Sequence, residues 1–235
     1  MTKLHLNKTD KELLATLNNY SIKANENQVQ KLALDLEEIL NFQQSLKFPK
    51  LANIYLASNK KELIEIFTLR SRVYKQMGYD KEFPSFIKGL DYDNYDKSSA
   101  ILYTKHNNKI TGTCRVIFDS IKTIPLEKNF SFANFRKESK TLAELSRLII
   151  EKQNNGLGQE PKLLTKGTYH LLKANNISTL VSVMKEENFR FYKNFGGFNK
   201  IYKFKTYGNL KEPFIVTSWE IAEVSKYFKR FFLNS

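Results

Sequence analysis

The spacing of apolar residues predicts two helices at the start of the chain. Thr9 and Glu12 have the spacing of a capping box ahead of three leucines that share one helical face. Residues 29–40 then carry apolar side chains at helical intervals, and a Phe-Pro-Lys break follows at 48–50. We therefore predict a helical N-terminal extension, residues 1–50, which is either a lid or a hairpin that covers part of a sheet.

From residue 51 onward the pattern alternates between strands and helices. Asn107 and Asn108 separate two apolar runs and predict the turn of a β-hairpin. The predicted strands are 54–57, 99–105, 109–119, 141–151, 177–184, 200–207 and 213–219, and the predicted helices are 59–74, 161–174 and 187–195. This order predicts an α/β domain with a mixed sheet over residues 51–235, in which 125–140 forms an irregular loop.

Composition adds an excess of positive charge. The 235 residues carry a formal net charge of +14, nearly all of it after residue 50. Such an excess attracts polyanions, namely nucleic acid, anionic lipid or an acidic protein, although a bias toward lysine explains it equally well. No run of residues approaches the roughly 18 apolar positions that span a bilayer, and the N-terminus lacks a signal-peptide core. We expect a cytoplasmic protein.

Cysteine and histidine usage argues against a metal site or a disulfide. Cys114 is the single cysteine, and the three histidines are far apart along the chain. Cys114 lies among apolar neighbours, which favours a small buried hydrophobe over a catalytic thiol.

The residues with the most promising chemistry lie between 70 and 147. Arg115 and Arg147 each interrupt an apolar strand, and an unpaired buried charge is costly. We therefore expect these arginines to pair with acids, because a guanidinium binds carboxylates bidentately. A solvated sheet face is the alternative. The candidate partners are Asp91, Asp93, Asp96 and Glu144.

The order of these motifs resembles the acyl-homoserine-lactone (autoinducer) synthases. The motifs are Arg-x-x-x-Tyr at 70–74, Gly-Tyr at 78–79, Asp-x-Asp-x-x-Asp at 91–96, Gly-x-x-Arg at 112–115 and Glu-x-Ser-Arg at 144–147. Glu-Phe-Pro at 82–84 and Leu-Asp-Tyr-Asp at 90–93 are closer to the related N-acyl amino acid synthases. Both groups belong to the GNAT acyltransferases, so the resemblance implies a GNAT-like, mostly antiparallel sheet flanked by helices.

The resemblance also implies roles for particular residues. Glu144 falls on the proposed catalytic base, and Tyr74 and Tyr79 line the amine pocket, with Asp91 and Ser146 also binding substrate. Tyr79 stands where autoinducer synthases usually carry Trp, which favours an amino acid over S-adenosylmethionine as the amine. The charged active-site cluster comprises Arg70, Asp93, Asp96, Arg115 and Arg147.

The resemblance further implies an acyl donor carried on phosphopantetheine, either acyl-acyl-carrier-protein or acyl-CoA. It implies no permanently bound cofactor and no metal. Gln153, Gly156 and Gly158 resemble a pyrophosphate-binding loop, for which a plain turn is the alternative. Tyr192 is a candidate general acid, with simple packing as the alternative. The basic residues expected to dock an acidic carrier protein are Arg136, Lys137 and Lys140, together with Lys226, Lys229 and Arg230.

Three other interpretations remain open at this point. The first is an autoinducer synthase that uses S-adenosylmethionine. The second is a nucleic-acid-binding protein, because basic and aromatic residues alternate over 226–230, although the acids at 91–96 oppose a phosphate backbone. The third is peripheral membrane attachment through the same basic and aromatic segment. We expect acyl transfer to a small amine and no nucleic-acid partner.

Overall fold

A computed structural model describes residues 6–82, 85–119, 123–138, 140–151, 158–206 and 212–233. Its centre is one sheet with the strand order β1-β2-β3-β4-β5-β7-β6. The strands are β1 (Ile54–Leu56), β2 (Ser99–His106), β3 (Lys109–Phe118), β4 (Leu142–Ile150), β5 (Thr179–Lys185), β6 (Phe198–Phe204) and β7 (Phe214–Glu220). The predicted mixed, mostly antiparallel sheet is confirmed, since only β4 and β5 run parallel.

Helices cover both faces of this sheet. They are α1 (Lys8–Asn19), α2 (Glu26–Ser45), α3 (Lys60–Met77), α4 (Ala133–Lys137), α5 (Glu160–Ala174), α6 (Phe189–Tyr192) and α7 (Lys226–Phe228). The predicted irregular loop over 125–140 contains α4 and a 3₁₀ turn, Pro125–Lys128. None of the helices in the described part of the chain is long and apolar enough to cross a membrane.

Asparagines begin the first three helices. The predicted capping box of Thr9 and Glu12 is wrong, because α1 begins at Lys8 and its cap is Asn7, whose side chain accepts from the Asp10 amide at 2.8 Å. Asparagine is as effective a cap as threonine, and it stands two residues earlier. Asn25 and Gln28 form a complete capping box at the start of α2.

The predicted hairpin joins β2 to β3. Asn107 and Asn108 have φ angles of 50° and 62°, the left-handed conformation that tight hairpin turns require and that asparagine tolerates. His106 and Lys109 are the pair that flanks this turn.

The sheet opens between β4 and β5. The two strands pair from Leu142–Leu145 alongside Thr179–Ser182 and then separate, although β4 continues to Ile150. β4 also carries a bulge against β3, because the register shifts by one residue between Thr113 and Arg115. Arg147 lies in this bulge with φ of 52°, an uncommon conformation for a non-glycine residue.

The core has two main layers. On one face, α1, α2 and α3 pack on β2 and β3 in a single cluster that contains Leu36, Phe67 and Ile101. On the other face, α5 and the aromatic C-terminal segment pack on Leu102 and Cys114. The N-terminal helices therefore share a core with α3. The boundary at residue 50 stays a prediction.

Candidate active site

Three arginines and three aspartates form a continuous chain of ion pairs on the α3 face of the sheet. The pairing expected for Arg115 and Arg147 is confirmed, and Arg70 joins them. Along the chain the contacts are Arg70 Nη1–Asp96 Oδ1 at 2.8 Å, Asp96 Oδ2–Arg115 Nη1 at 3.0 Å, Arg115 Nη1–Asp93 Oδ1 at 2.7 Å, Asp93 Oδ2–Arg147 Nη2 at 3.2 Å and Arg147 Nε–Asp91 Oδ2 at 3.4 Å.

Burial along this chain is graded. The side chains of Arg70 and Asp96 are 0% exposed, whereas that of Asp93 is 35% exposed. Burial disfavours ionisation of Asp96, but Arg115 and Arg70 outweigh it and hold the pKa of Asp96 well below its usual value. The two arginines thus favour the ionised form of Asp96, and the cluster opens to solvent at Asp93.

A tight turn presents the aspartates. The Asp93 amide donates to Asp96 Oδ2 at 2.8 Å, and the Tyr95 amide donates to Asp93 Oδ1 at 2.8 Å. Ser146 completes the site from β4, where its hydroxyl accepts from Arg115 Nε at 3.0 Å. The turn therefore contributes the aspartates, the sheet contributes Arg115, Ser146 and Arg147, and α3 contributes Arg70.

Glu144 lies next to this cluster on β4, but it is held differently. Its Oε2 atom accepts from the Leu126 amide at 2.8 Å. Burial raises the pKa of Glu144 to about 7, although the Leu126 amide, Arg115 and Arg147 all favour the ionised form. Among the residues that the structure describes, Glu144 has no cation within 4 Å, so the expected ion pair with an arginine is not formed.

Leu126 is a contributor that the sequence did not reveal. It belongs to the 3₁₀ turn of the loop after β3, where hydrophobic periodicity carries no information about backbone amides. The sequence predicts an irregular loop over 125–140, but a loop prediction does not indicate which side chain the loop contacts.

Tyr74 and Tyr79 border the outer end of the ion-pair chain. The Arg147 guanidinium carbon lies 5.4 Å from the centre of the Tyr74 ring, and the rings of Tyr74 and Tyr79 are 6.4 Å apart. Gly78 ends α3 in the left-handed conformation, and the Tyr79 amide then donates to the Tyr74 carbonyl at 2.8 Å. Burial raises the pKa of Tyr74 and of Asp91.

Most of the expected pyrophosphate loop, including Gln153 and Gly156, lies outside the described residues. Gly158 is described, with φ of 58°, and it precedes the start of α5. The buried carboxylate of Glu160 occupies that helix start, where its Oε1 atom accepts from the Thr111 hydroxyl at 2.9 Å. A negative charge at this position matches the positive end of the helix dipole.

The residues expected to dock a carrier protein differ in their surroundings. Arg136 pairs with Asp119 (Nε–Oδ2, 2.7 Å) and with Glu127 (Nη1–Oε1, 2.6 Å), so it fastens α4 to the end of β3. Lys137 is exposed beside it. The C-terminal Lys226, Lys229 and Arg230 are also exposed.

Tyr192 and Cys114 lie on the opposite face of the sheet from the ion pairs. Tyr192 packs on Phe191, Phe195 and Phe198 with ring centres 5.2–5.3 Å apart. Cys114 is buried beside the Thr168 hydroxyl, and burial raises the pKa of its thiol to about 12. A thiol that stays protonated at neutral pH is not a nucleophile.

Comparison with known proteins decides the class. A model of the family described as N-acyl amino acid synthase FeeM matches residues 65–219. The chain belongs to this family. It is therefore an acyltransferase, and the family match favours this class over the nucleic-acid-binding interpretation. The matched range contains all of the charged cluster and Glu144, whereas α1 and α2 lie outside it.

Solved structures share this fold. FeeM, an N-acyl amino acid synthase from uncultured soil microbes, is 20% identical, with a TM-score of 0.59 over 77% of this chain and 94% of FeeM. The AHL synthase LasI is 18% identical, with a TM-score of 0.58 over 77% of this chain and 95% of LasI. The CoA-dependent acyl-homoserine lactone synthase BjaI is 11% identical, with a TM-score of 0.55 over 74% of this chain and 82% of BjaI.

These similarities confirm the resemblance to autoinducer and N-acyl amino acid synthases, whose fold the chain shares. No curated protein sequence matches the chain at a significant level.

Proposed function

We propose that this enzyme transfers a fatty acyl group from acyl-acyl-carrier-protein to the amino group of an amino acid. Glu144 accepts the proton of the attacking amine. The buried position of Glu144 carries the proposal, because burial brings the pKa of its carboxyl to about 7. A carboxyl group with that pKa is partly ionised at neutral pH and is a stronger base than an ordinary glutamate.

The reaction takes place where β4 and β5 separate. The amine nitrogen attacks the thioester carbonyl, the new C–N bond forms, and Glu144 takes a proton from the nitrogen. The C–S bond then breaks, and the carrier leaves as a free thiol after gaining a proton. Backbone N–H groups of β4 beyond Leu145, where β5 no longer pairs, are suited to stabilise the oxyanion. Tyr192 is a candidate donor of the proton to the thiolate. It lies on the opposite face of the sheet from the ion pairs, so it would reach the thiolate through the gap between β4 and β5.

The mouth of the charged cluster fits an amino acid. An amino acid brings one cation and one anion, and the outer end of the ion-pair chain offers Asp93 and Arg147 as complementary partners. Tyr74 and Tyr79 then border the side-chain pocket. Tyr79, in place of the Trp that is usual in autoinducer synthases, favours the amino acid over S-adenosylmethionine.

The cations proposed to attract an acidic carrier protein lie on both sides of the sheet. Lys137 follows Phe132 and Phe135 of one core cluster, whereas the C-terminal cations flank Phe228 and Phe232 of another. The net charge of +14 supports attraction of an acidic partner. Lys137 and the C-terminal cations are exposed and able to contact it, whereas Arg136 is already engaged by Asp119 and Glu127. No permanently bound cofactor is part of this proposal, since acyl-carrier-protein or acyl-CoA acts as a co-substrate.

The C-terminal segment also supports a contact with anionic membranes. Tyr227 and Phe231 expose stacked rings 5.6 Å apart next to Lys226 and Arg230. Exposed aromatics beside cations are typical of membrane-surface helices. Co-sedimentation with phosphatidylglycerol vesicles tests this contact, and a protein that stays in the supernatant at low salt contradicts it.

Homoserine lactone synthesis from S-adenosylmethionine is the second candidate. It is favoured by the TM-score of 0.58 to LasI, which nearly equals the 0.59 to FeeM. A thiol-release assay with acyl-carrier-protein and acyl-CoA donors against a set of amino acids and S-adenosylmethionine separates the two. The proposal predicts N-acyl amino acids by mass spectrometry. Acyl-homoserine lactone as the main product supports the second candidate instead.

A further inference from the structure

Asp35 is a buried carboxylate far along the chain from the active-site motifs. It lies on α2, and the whole residue is only 5% exposed. This helix precedes the range that the family model matches, so the family motifs do not account for it. A buried acid requires partners, and those of Asp35 come from the segment that carries the active-site aspartates.

Two contacts join Asp35 to that segment. Lys97 Nζ lies 2.7 Å from Asp35 Oδ1, and the Tyr92 hydroxyl donates to Asp35 Oδ2 at 3.3 Å. Lys97 also reaches Glu38 Oε2, one turn further along α2, at 2.7 Å. Lys31 adds a more exposed pair at 3.2 Å. Asp35 is thus a common partner of groups before and after Asp93.

A third contact comes from Gln43, eight residues along the same helix face. The Gln43 amide nitrogen donates to the Ser99 carbonyl at 2.5 Å, and its amide oxygen accepts from the Ile101 amide at 2.9 Å. The Gln43 side chain therefore makes the backbone hydrogen bonds that a neighbouring strand would make, at the start of β2, which extends beyond β1. The start of β2 is fixed to α2 directly after the aspartate turn.

Tyr92 connects these contacts to the ion-pair chain. Its ring stacks on Phe67 with centres 5.2 Å apart, and the Arg70 guanidinium lies 5.3 Å from the Phe67 ring. Tyr92 stands between Asp91 and Asp93, and Lys97 follows Asp96. The contacts from α2 therefore enclose the aspartate turn on both sides.

We propose that Asp35 is a positioning residue, which fixes the aspartate turn at 91–96 so that the turn can hold the amine substrate. The proposal rests on the proposed function for the identity of that substrate. It also gives α2 a constant role as part of the framework of the site, which differs from a lid that opens and closes.

The test compares Asp35→Asn with Glu37→Gln. Glu37 is exposed on the same helix, and its substitution removes the same charge. We expect Asp35→Asn to raise the KM for the amine about fivefold or more, with the KM for the acyl donor within about twofold of wild type. Glu37→Gln should leave both unchanged. Asp35→Glu, which keeps the carboxylate, should recover part of the loss.

Hydrogen exchange of residues 91–98 supplies a readout independent of activity. In Asp35→Asn we expect amide exchange in this segment about tenfold faster than in Glu37→Gln, with unchanged exchange in β5. Equal exchange in both variants, or an equal rise in the KM for both substrates, overturns the proposal and leaves Asp35 a purely structural residue. If wild type transfers acyl groups to no amine while the exchange result holds, the proposed function fails and the positioning does not.

Discussion

The Leu126 amide donates to Glu144 Oε2 at 2.8 Å, so a loop between β3 and β4 holds the carboxylate proposed as the catalytic base. This contact stabilises the ionised carboxylate, whereas burial favours the neutral one. The balance leaves the pKa of Glu144 at about 7, the range in which a base is most effective at neutral pH.

Glu144 should lower stability at alkaline pH. Its pKa in the folded state, about 7, lies above the ordinary value of 4.5, so the folded protein binds its proton more tightly than the unfolded chain. Stability from this group is complete below about pH 4.5 and is lost as pH rises through 7. Glu144→Gln should therefore be more stable than wild type. In urea titrations its free energy of unfolding should be higher by about 3 kcal/mol at pH 8 and by far less at pH 4. An equal difference at both pH values contradicts this.

The innermost ion pair should matter far more to folding than a neighbouring surface pair. Arg70→Met leaves Asp96 buried without one of its two guanidinium partners, and we expect a loss of about 3 kcal/mol in the free energy of unfolding. Arg72 lies on the same helix but pairs with Glu151 near solvent. Arg72→Met should cost about 1 kcal/mol or less. Urea titrations measure the free energy of unfolding of both variants. Equal losses contradict the prediction that the buried pair contributes more to stability than the surface pair.

Carrier docking should depend on exposed cations and should be sensitive to salt. Reversal of Lys137, Lys226, Lys229 and Arg230 to Glu should raise the KM for acyl-carrier-protein about tenfold at low ionic strength. The KM for acyl-pantetheine, which lacks the carrier protein, should not change. Arg136→Glu should instead lower the melting temperature, because it breaks the pairs with Asp119 and Glu127. Equal KM values for the carrier in wild type and variant exclude these four cations from docking.

Cys114 should be chemically silent. It is buried, and the pKa of its thiol is raised to about 12, so Ellman's reagent should not label the native protein. Cys114→Ala should retain kcat within about threefold of wild type. Rapid labelling with loss of activity contradicts this assignment.

The sequence was most informative where a local rule has one physical solution. Asn107-Asn108 predicted the turn because few residues adopt two successive left-handed conformations. Arg115 and Arg147 predicted acidic partners because an unpaired charge in an apolar strand is costly. Both rules involve the residue's own backbone or its own charge, and the structure confirms both.

Contacts that depend on tertiary structure were not predictable in this way. The Leu126 amide has no side-chain signature, and its loop reaches Glu144 only after β3 and β4 have paired. Asp35 interrupts an apolar helical pattern, as solvated acids often do, and its partners beside the aspartate turn, Lys97 and Tyr92, are more than 50 residues away. In α1, the capping-box spacing of Thr9 and Glu12 predicted a start that is too late, because the side chain of Asn7 caps the helix.

The pH dependence of kcat/KM tests the central claim most directly. Wild type should gain activity with an inflection near pH 7, as Glu144 loses its proton, and again at higher pH as the substrate ammonium group loses its proton and becomes a neutral nucleophile. Glu144→Gln should be at least about a hundredfold slower and should keep only the second rise. An inflection near pH 7 that persists in Glu144→Gln contradicts the assignment of Glu144 as the base.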